Sequence, residues 1–292
     1  MPAKAKQDTQ GNAAASIRIG TSGWSYKEWE RVFYPDSKTP KLSFYSSVFG
    51  TAEIDSTFYA NPQKGLVFGW SRNTPAGFEF AVKLPKKITH EKKLDLSKGV
   101  EIDLVEFLDL MRPLHESKKL GPLLIQLPPS FGASKKRDLV RFFEVLPKEC
   151  MFAVEFRNKT WLKEKNLHLL LSKYGVANTV VDEPLLPVDL TPTADFAFIR
   201  WHGRGEAPWY NYRYKKEEIE PWVDRVKTDL KGVKKIYAYF NNHFHGYAIE
   251  NSLEFLEMLG LASKEQKELL SKVTARIEGK PEDSEQKTLG EY

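Results

Sequence analysis

The chain has 292 residues, and its 44 Lys and Arg residues outnumber its 39 Asp and Glu residues, which gives a formal net charge of +5. Hydrophobic residues make up 41% and charged residues 28%, a balance that excludes extensive intrinsic disorder. No apolar run approaches the roughly 18 residues of a transmembrane helix, and no secretory signal is expected. Because Cys150 is the only cysteine, no internal disulfide can form, and the cytoplasm is the expected location.

The two ends of the chain differ in composition from the middle. Residues 1–16 are polar and without periodicity, so we expect a disordered leader. Near the other end, Ser263 followed by Gln266 has the pattern of a capping box and predicts a helix, with a polar tail after Gly279. We therefore predict one domain over residues 17–261, then a C-terminal helix and tail over residues 262–292.

Short β-rich segments recur about every thirty residues, the size of one strand-plus-helix unit. They begin near Ile17, Thr51, Glu79, Leu120, Met151, Val176, Asp195 and Lys235. Amphipathic helical patterns separate most of them, but three prolines predict an irregular connection between the sixth and seventh. Eight such units predict a single (β/α)8 TIM barrel. An open doubly wound sheet is the alternative, and it is less favoured because no G-x-G-x-x-G follows the first strand.

Alternate residues of a barrel strand face the helices and the interior. Apolar residues such as Ile54, Val82 and Val154 mark the outward positions, and polar residues occupy the opposite ones near the C-terminal strand ends. The predicted inward residues are Ser22, Glu53, Asp55, Thr57, Lys83, Gln126, Glu155, Arg157, Asp182, Arg200, His202 and Asn241. A buried network of ion pairs is one explanation, but unpaired buried ions are costly. Since barrel enzymes carry their chemistry at this end, we favour a functional site.

Three of these inward residues are candidates for proton transfer. Glu155 is the candidate general base, because the pKa of a partly buried carboxylate near cations can be adjusted to its task. Asp182 is the second carboxylate and candidate acid, and His202 is the candidate proton donor.

The remaining candidates are expected to bind a ligand at the mouth of the barrel. Lys83, Arg157 and Arg200 would hold an anionic group, and aromatic residues after the seventh strand suit a sugar ring or a nucleobase. A lid that packs on the rim is the alternative for those aromatic residues. The predicted binding residues are Ser22, Trp24, Asp55, Thr57, Tyr59, Lys83, His90, Gln126, Arg157, Arg200, Trp209, Tyr212, Asn241 and Asn242.

Residues 241–246 precede a predicted helix after the eighth strand, a place where this fold commonly holds phosphate. His243 and His245 resemble a metal-binding pair only weakly. A divalent metal is not favoured, because the cationic residues Lys83, Arg157 and Arg200 would repel it. No cofactor is therefore predicted.

Several short motifs occur together in this chain. They are G-T-S-G-W-S-Y, F-Y-P, E-I-D-S-T-F-Y, F-A-V-K with T-H, Q-L-P-P, E-F-R, R-W-H-G and Y-F-N-N. As a set they resemble the YecE-like family, domain of unknown function 72, over residues 17–261. The resemblance implies a (β/α)8 barrel with a polar cleft at the strand C-termini and brings no established reaction. Asp55 departs from it, because similar sequences are expected to have Asn there.

The sequence favours an acid/base enzyme of hydrolase or lyase type that acts on a phosphorylated, carbohydrate-like or nucleotide-like small molecule. A nucleic-acid-binding module without turnover is the alternative, and it would need a basic track beyond the mouth. A non-catalytic scaffold would require fully paired inward charges and no room for a ligand. No membrane partner is expected, and the oligomeric state is not predicted.

Overall fold

The computed structural model describes residues 15–206 and 208–279, and within these ranges eight strands form one parallel sheet. The strands are β1 (Ser16–Thr21), β2 (Thr51–Ile54), β3 (Glu79–Lys83), β4 (Leu120–Gln126), β5 (Phe152–Glu155), β6 (Val176–Asp182), β7 (Phe196–Trp201) and β8 (Lys235–Phe240). Their order is β1-β8-β7-β6-β5-β4-β3-β2, and a bridge between Ser22 and Glu53 links the two end strands. The sheet is therefore a nearly closed barrel, and the predicted fold is confirmed.

Helices follow every strand except one. They are α1 (Lys41–Val48), α2 (Lys64–Arg72), α3 (Val100–Glu116), α4 (Lys136–Glu144), α5 (Leu167–Tyr174), α6 (Lys216–Thr228), α7 (Tyr247–Met258) and α8 (Lys264–Ile277). The connection from β6 to β7, which the structure describes in full, contains no helix. Its three prolines lack the N–H groups that a helix needs, so the irregular sixth crossover is confirmed.

The core has an outer layer between strands and helices and an inner layer that fills the lower barrel. Ile54, Val82 and Val154 lie in the outer layer, as their outward positions predict. Phe198, Tyr237 and Tyr239 belong to the inner layer. The Tyr239 hydroxyl lies 2.7 Å from the Thr51 hydroxyl, so even this layer satisfies its polar atoms. These rings form a floor below the polar end of the barrel.

The terminal predictions fall partly outside the described residues. Residues 1–14 and 280–292, which include most of the predicted leader and tail, are not among them, and Ser16 is the first residue of β1. The helix predicted after Ser263 is α8, and its capping box is complete because Gln266 N donates to the Ser263 hydroxyl at 3.2 Å and Ser263 N donates to Gln266 Oε1 at 2.8 Å. Among the described helices, none combines the length and apolar character needed to cross a membrane.

Candidate functional site

Arg200 lies at the centre of the polar end of the barrel, and only 1% of the residue is exposed. Its Nε donates to Glu53 Oε2 at 3.1 Å, and its Nη1 donates to Glu155 Oε2 at 2.6 Å. Burial alone would lower the pKa of the guanidinium, but Glu53 and Glu155 raise the pKa above its usual range. Arg200 is therefore a permanent cation that joins strands from opposite parts of the barrel.

Glu155 is fully buried, and both of its carboxylate oxygens accept strong hydrogen bonds. Oε1 accepts from Gln126 Nε2 at 2.8 Å and from Arg157 Nε at 2.7 Å, and Oε2 accepts from Arg200. Burial would raise the pKa of Glu155, but Arg200, Arg157 and His202 hold that pKa well below its usual range. Such a carboxylate accepts protons poorly, so these contacts argue against the predicted role of Glu155 as general base. They favour a role in which Glu155 positions the side chains of Arg157 and Arg200.

His202 is also buried, and both of its ring nitrogens face polar groups. Nδ1 accepts from Asn241 Nδ2 at 2.9 Å, and Nε2 lies 3.5 Å from Glu155 Oε1. Burial and the charge of Arg200 lower the pKa of His202 to about 4. The imidazole is therefore neutral at neutral pH, which argues against His202 as the donor of an ionisable proton.

Asp182 faces the helices and not the interior. The register pairs Asp182 with Trp201, whose ring packs on Trp222 of α6 at 5.0 Å. The Asp182 carboxylate accepts two hydrogen bonds from Arg204, each of 2.9 Å. The prediction that Asp182 points into the barrel is wrong. Because Val180 and Val181 are both apolar, β6 has no strict alternation from which its inward face can be read.

Glu183 is the inward carboxylate that the sequence interpretation missed. His202 N donates to Asp182 O at 3.0 Å, which extends the ladder and places Glu183 beside His202 on the inner face. Glu183 is 8% exposed, and burial followed by the charge of Glu155 raises its pKa to about 7. Within the described residues, its carboxyl makes no hydrogen bond. The dipeptide Asp182-Glu183 was the available signal, since one of two successive carboxylates at a strand end must face inward.

On the opposite side, Glu53 and Asp55 supply two further carboxylates. The Ser22 hydroxyl donates to Glu53 Oε2, while Glu53 Oε1 has no hydrogen-bond partner among the described residues. Burial raises the pKa of Glu53 to about 7, even though Arg200 acts in the other direction. Asp55 Oδ1 lies 3.8 Å from Lys83 Nζ and 3.6 Å from Arg200 Nη2. This side of the site is therefore a loosely paired cluster of charges.

Three groups border the opening of the barrel. The Arg157 side chain is 31% exposed and uses only Nε in its contact with Glu155. His90 packs edge-on against Phe58 at 4.8 Å, and burial with the charge of Lys83 lowers its pKa to about 4. Asn241 is partly exposed. A cation and two neutral polar side chains are thus available to a ligand.

Three of the predicted binding residues lie in the first and second βα loops. The Thr57 hydroxyl donates to Lys83 O at 2.7 Å and holds the second loop against β3. Tyr59 is 72% exposed and lies outside the interior of the barrel. Trp24 packs against Trp70 of α2, with ring centroids 6.2 Å apart. Trp24 also lines a pocket of about 180 Å³ with Glu53 and Asp55, so ligand binding by these residues stays a prediction.

The predicted aromatic residues after β7 are also held by the protein itself. The Tyr212 hydroxyl donates to Glu218 at 2.6 Å, and Asn242 Nδ2 donates to Tyr212 O and Asn251 Oδ1, both at 2.8 Å. The carbonyl oxygen of Trp209 accepts from Gly205 N at 3.1 Å. These contacts favour the rim-packing alternative for this loop.

A stack of three rings at the rim was not predicted. His243 lies between Tyr26 and Tyr210, with centroid distances of 4.4 Å and 5.4 Å and nearly parallel planes. The stack joins the loops after β1, β7 and β8.

In the described part of the chain, no group of three or more His, Cys, Asp and Glu residues is arranged to hold a metal ion. That no cofactor is required stays a prediction.

Comparisons with known proteins agree over most of the chain. The family model described as protein of unknown function DUF72 matches residues 18–276. UPF0759 protein YunF of Bacillus subtilis is 27% identical over an aligned length of 271, and the match covers 84% of this chain and 95% of that protein. UPF0759 protein YecE of Escherichia coli K12 is 30% identical over an aligned length of 234, and the match covers 72% of this chain and 80% of that protein.

Solved structures show the same similarity. A DUF72 family protein from Thermotoga maritima is 33% identical, with a TM-score of 0.74, and the match covers 84% of this chain and 99% of that chain. A DUF72 family protein from Enterococcus faecalis is 26% identical, also with a TM-score of 0.74, and the match covers 85% of this chain and 97% of that chain.

Proposed function

The chain belongs to the DUF72 family of proteins of unknown function, and we propose that it is an acid/base enzyme in which Glu183 transfers the proton. The observation that carries this proposal is a buried carboxyl at the C-terminal end of β6 that makes no hydrogen bond to the other described residues and whose pKa burial raises to about 7. A group that is half protonated near neutral pH can both accept and donate a proton. Glu183 therefore takes the role that Glu155 and Asp182 were expected to share.

Arg157 supports binding of an anionic substrate. Its Nε is engaged with Glu155, and its Nη1 and Nη2 make no hydrogen bond to the other described residues. Two free guanidinium nitrogens can bind a phosphate or carboxylate in a bidentate manner. Arg200 adds positive charge from below, although its own donors are occupied. An anionic group held here would lie near Glu183, because His202, the neighbour of Glu183 on the inner face, lies 3.5 Å from the Glu155 oxygen that Arg157 contacts.

Neutral polar groups support a hydroxylated substrate. His90 and Asn241 border the same opening and carry no charge at neutral pH. They can hydrogen-bond the hydroxyl groups of a sugar-like molecule. The titrating carboxyl of Glu183 lies near Arg157, so it can remove a proton from a substrate carbon close to the bound anionic group. We therefore favour a lyase-type reaction on a phosphorylated carbohydrate-like molecule over hydrolysis.

Nucleic-acid binding is less favoured, because both arginines of the loop after β7 are paired with carboxylates. Arg204 pairs with Asp182, and Arg213 Nη2 lies 2.6 Å from Glu250 Oε1. A continuous basic track beyond the mouth would need unpaired cations at these positions.

A panel of sugar phosphates and related phosphorylated acids tests the proposal. Glu183→Gln should lower turnover of any substrate found by about 10²–10⁴-fold while ligand binding persists, because only the proton-transfer group is lost. Arg157→Met should weaken binding itself. For the wild-type enzyme, kcat/KM should rise with pH through about 7 if the ionised carboxylate is the base.

Glu217→Gln is the matched control, since Glu217 is exposed on α6. It should leave both turnover and binding unchanged. Unchanged turnover in Glu183→Gln would refute the assigned proton-transfer role. If the wild-type protein neither bound nor converted any member of the panel, the proposed substrate class would be wrong.

A further inference from the structure

A gap lies beside the C-terminal half of β6, because the pairing between β5 and β6 ends early. Their pairing runs from Phe152↔Val176 to Val154↔Asn178. On the two neighbouring interfaces it continues further, to Glu155 on one side and to Asp182 on the other. Among the described residues, none of β5 pairs with β6 beyond Asn178, and Leu167 and His168 of α5 border the gap that remains.

A cleft of about 140 Å³ lies at this gap. Phe156, Trp161 and Leu167 line it from the β5 side, and Asn178, Thr179 and Leu186 line it from the β6 side. A cavity of similar size, roughly 150 Å³, holds a benzene molecule in an engineered protein. The cleft is therefore large enough for one small ring with a short substituent.

Thr179 provides an unsatisfied polar atom in the lining of the cleft. The residue is 6% exposed, and its hydroxyl is buried without a hydrogen-bond partner among the described residues. A buried hydroxyl without a partner is unfavourable. A ligand with a donor or acceptor next to its apolar body would satisfy it.

The charge of the lining differs from that of the barrel mouth. It contains the carboxylates of Glu164 and Asp189 and the imidazole of His168, and no Lys or Arg among the described lining residues. Glu164 is paired with Lys136 at 2.9 Å. Asp189 Oδ2 accepts from His168 Nε2 at 2.6 Å and from Asn178 Nδ2 at 3.2 Å, and Oδ1 accepts from Thr191 N at 3.1 Å, so three contacts fix the orientation of a carboxylate whose side chain is 37% exposed. Asp189 is thus the charge that a ligand would meet.

We propose that this cleft binds a small organic amine with an aromatic or branched apolar body. The apolar body would lie between Phe156 and Leu186, and the ammonium group would face Asp189. The hydroxyl of Thr179 can accept a hydrogen bond from the same ammonium group. This site is separate from the mouth and does not depend on the proposed acid/base function.

Benzylammonium, benzyl alcohol and benzoate test the proposal, because they share one ring and differ in charge. Binding to the wild-type chain is measured by calorimetry and by shifts of the protein NMR signals. Benzylammonium should bind about fivefold more tightly than benzyl alcohol. This difference in affinity is at the upper end of what one partly exposed ion pair contributes. Benzoate should bind more weakly than both. Equal or tighter binding of benzoate, or no binding of benzylammonium at millimolar concentration, would overturn the proposal.

Substitutions locate the site. Asp189→Asn should reduce the affinity for benzylammonium to that for benzyl alcohol, and the control Asp195→Asn should change neither, because Asp195 is exposed and lies outside the cleft lining. Thr179→Val should weaken both ligands. If Asp189→Asn does not fold, Leu186→Trp provides an independent test, since the larger ring should fill the cleft and abolish binding. Wild-type affinity in Leu186→Trp would place the amine elsewhere and overturn the proposal.

Discussion

Replacement of Arg200 by Met tests how strongly the central cation stabilises the barrel. Methionine has a similar length, but it has no charge and no N–H donor. In the variant, Glu53 and Glu155 keep their buried positions and lose the guanidinium that lies 3.0 Å from Glu53 Oε2 and 2.6 Å from Glu155 Oε2. Two carboxylates would then remain in the interior without their main counter-ion.

The structure gives the expected magnitude. Removal of one partner from a buried ion pair costs about 3–5 kcal/mol, because the other charge stays buried. For a chain of this length, each kcal/mol corresponds to roughly 1.6 °C, so Tm should fall by about 5–8 °C. Arg200 depresses the pKa of Glu155 against the effect of burial, so in the variant burial should raise that pKa above the unfolded value of about 4.3. The variant should then lose stability as pH rises above this value, while wild type does not lose it through Glu155. The cost should therefore be largest near neutral pH and smaller in acid.

Urea and thermal unfolding of wild type and Arg200→Met, at about pH 8 and about pH 5, provide the measurement. Arg112→Met is the control, because Arg112 pairs with Asp109 on the exposed surface of α3 and should change stability by only about 0.5 kcal/mol. The reasoning is refuted if Arg200→Met is no less stable than the control. It is also refuted if the loss of stability does not diminish in acid.

Three further predictions concern a carboxyl, a glycine and the single thiol. Burial raises the pKa of Glu183 to about 7, so this group makes wild type less stable as pH rises from its unfolded pKa, about 4.3, to about 7. Glu183→Gln should flatten that part of the urea-unfolding profile, and an unchanged slope would contradict the prediction. Gly203 and Gly260 both have positive φ, but only a Cβ at Gly203 would lie 2.3 Å from the Trp209 carbonyl oxygen. Gly203→Ala should therefore lower Tm more than Gly260→Ala, and equal decreases would be inconsistent with this clash. Burial raises the pKa of Cys150 to about 11, so iodoacetamide should alkylate it about 100-fold more slowly at neutral pH than a free cysteine. Mass spectrometry measures this rate, and labelling as fast as that of free cysteine would contradict the prediction.

Local sequence patterns were sufficient to predict the barrel. Short β-rich segments, amphipathic helices and turn residues depend on nearby positions, so each strand begins within one residue of its predicted start. Alternation also placed Glu155 and Arg200 on the inner face, because their outward neighbours Val154 and Trp201 are apolar. The prolines of the sixth crossover act locally as well, since each removes a backbone donor.

The chemistry of the site depended on contacts between residues far apart in the chain. The pKa of Glu155 is low because Arg200 lies beside it, and the pKa of Glu183 is raised because it is buried without a hydrogen-bond partner among the described residues. Neither condition can be read from a single segment. The two valines before Asp182 fit either face of the strand, so the sequence does not show which residues of β6 face inward. Pairing with β7 decides this, and it turns Asp182 outward and Glu183 inward. The cleft beside β6 likewise arises where strand pairing ends, and pairing is a property of the assembled sheet.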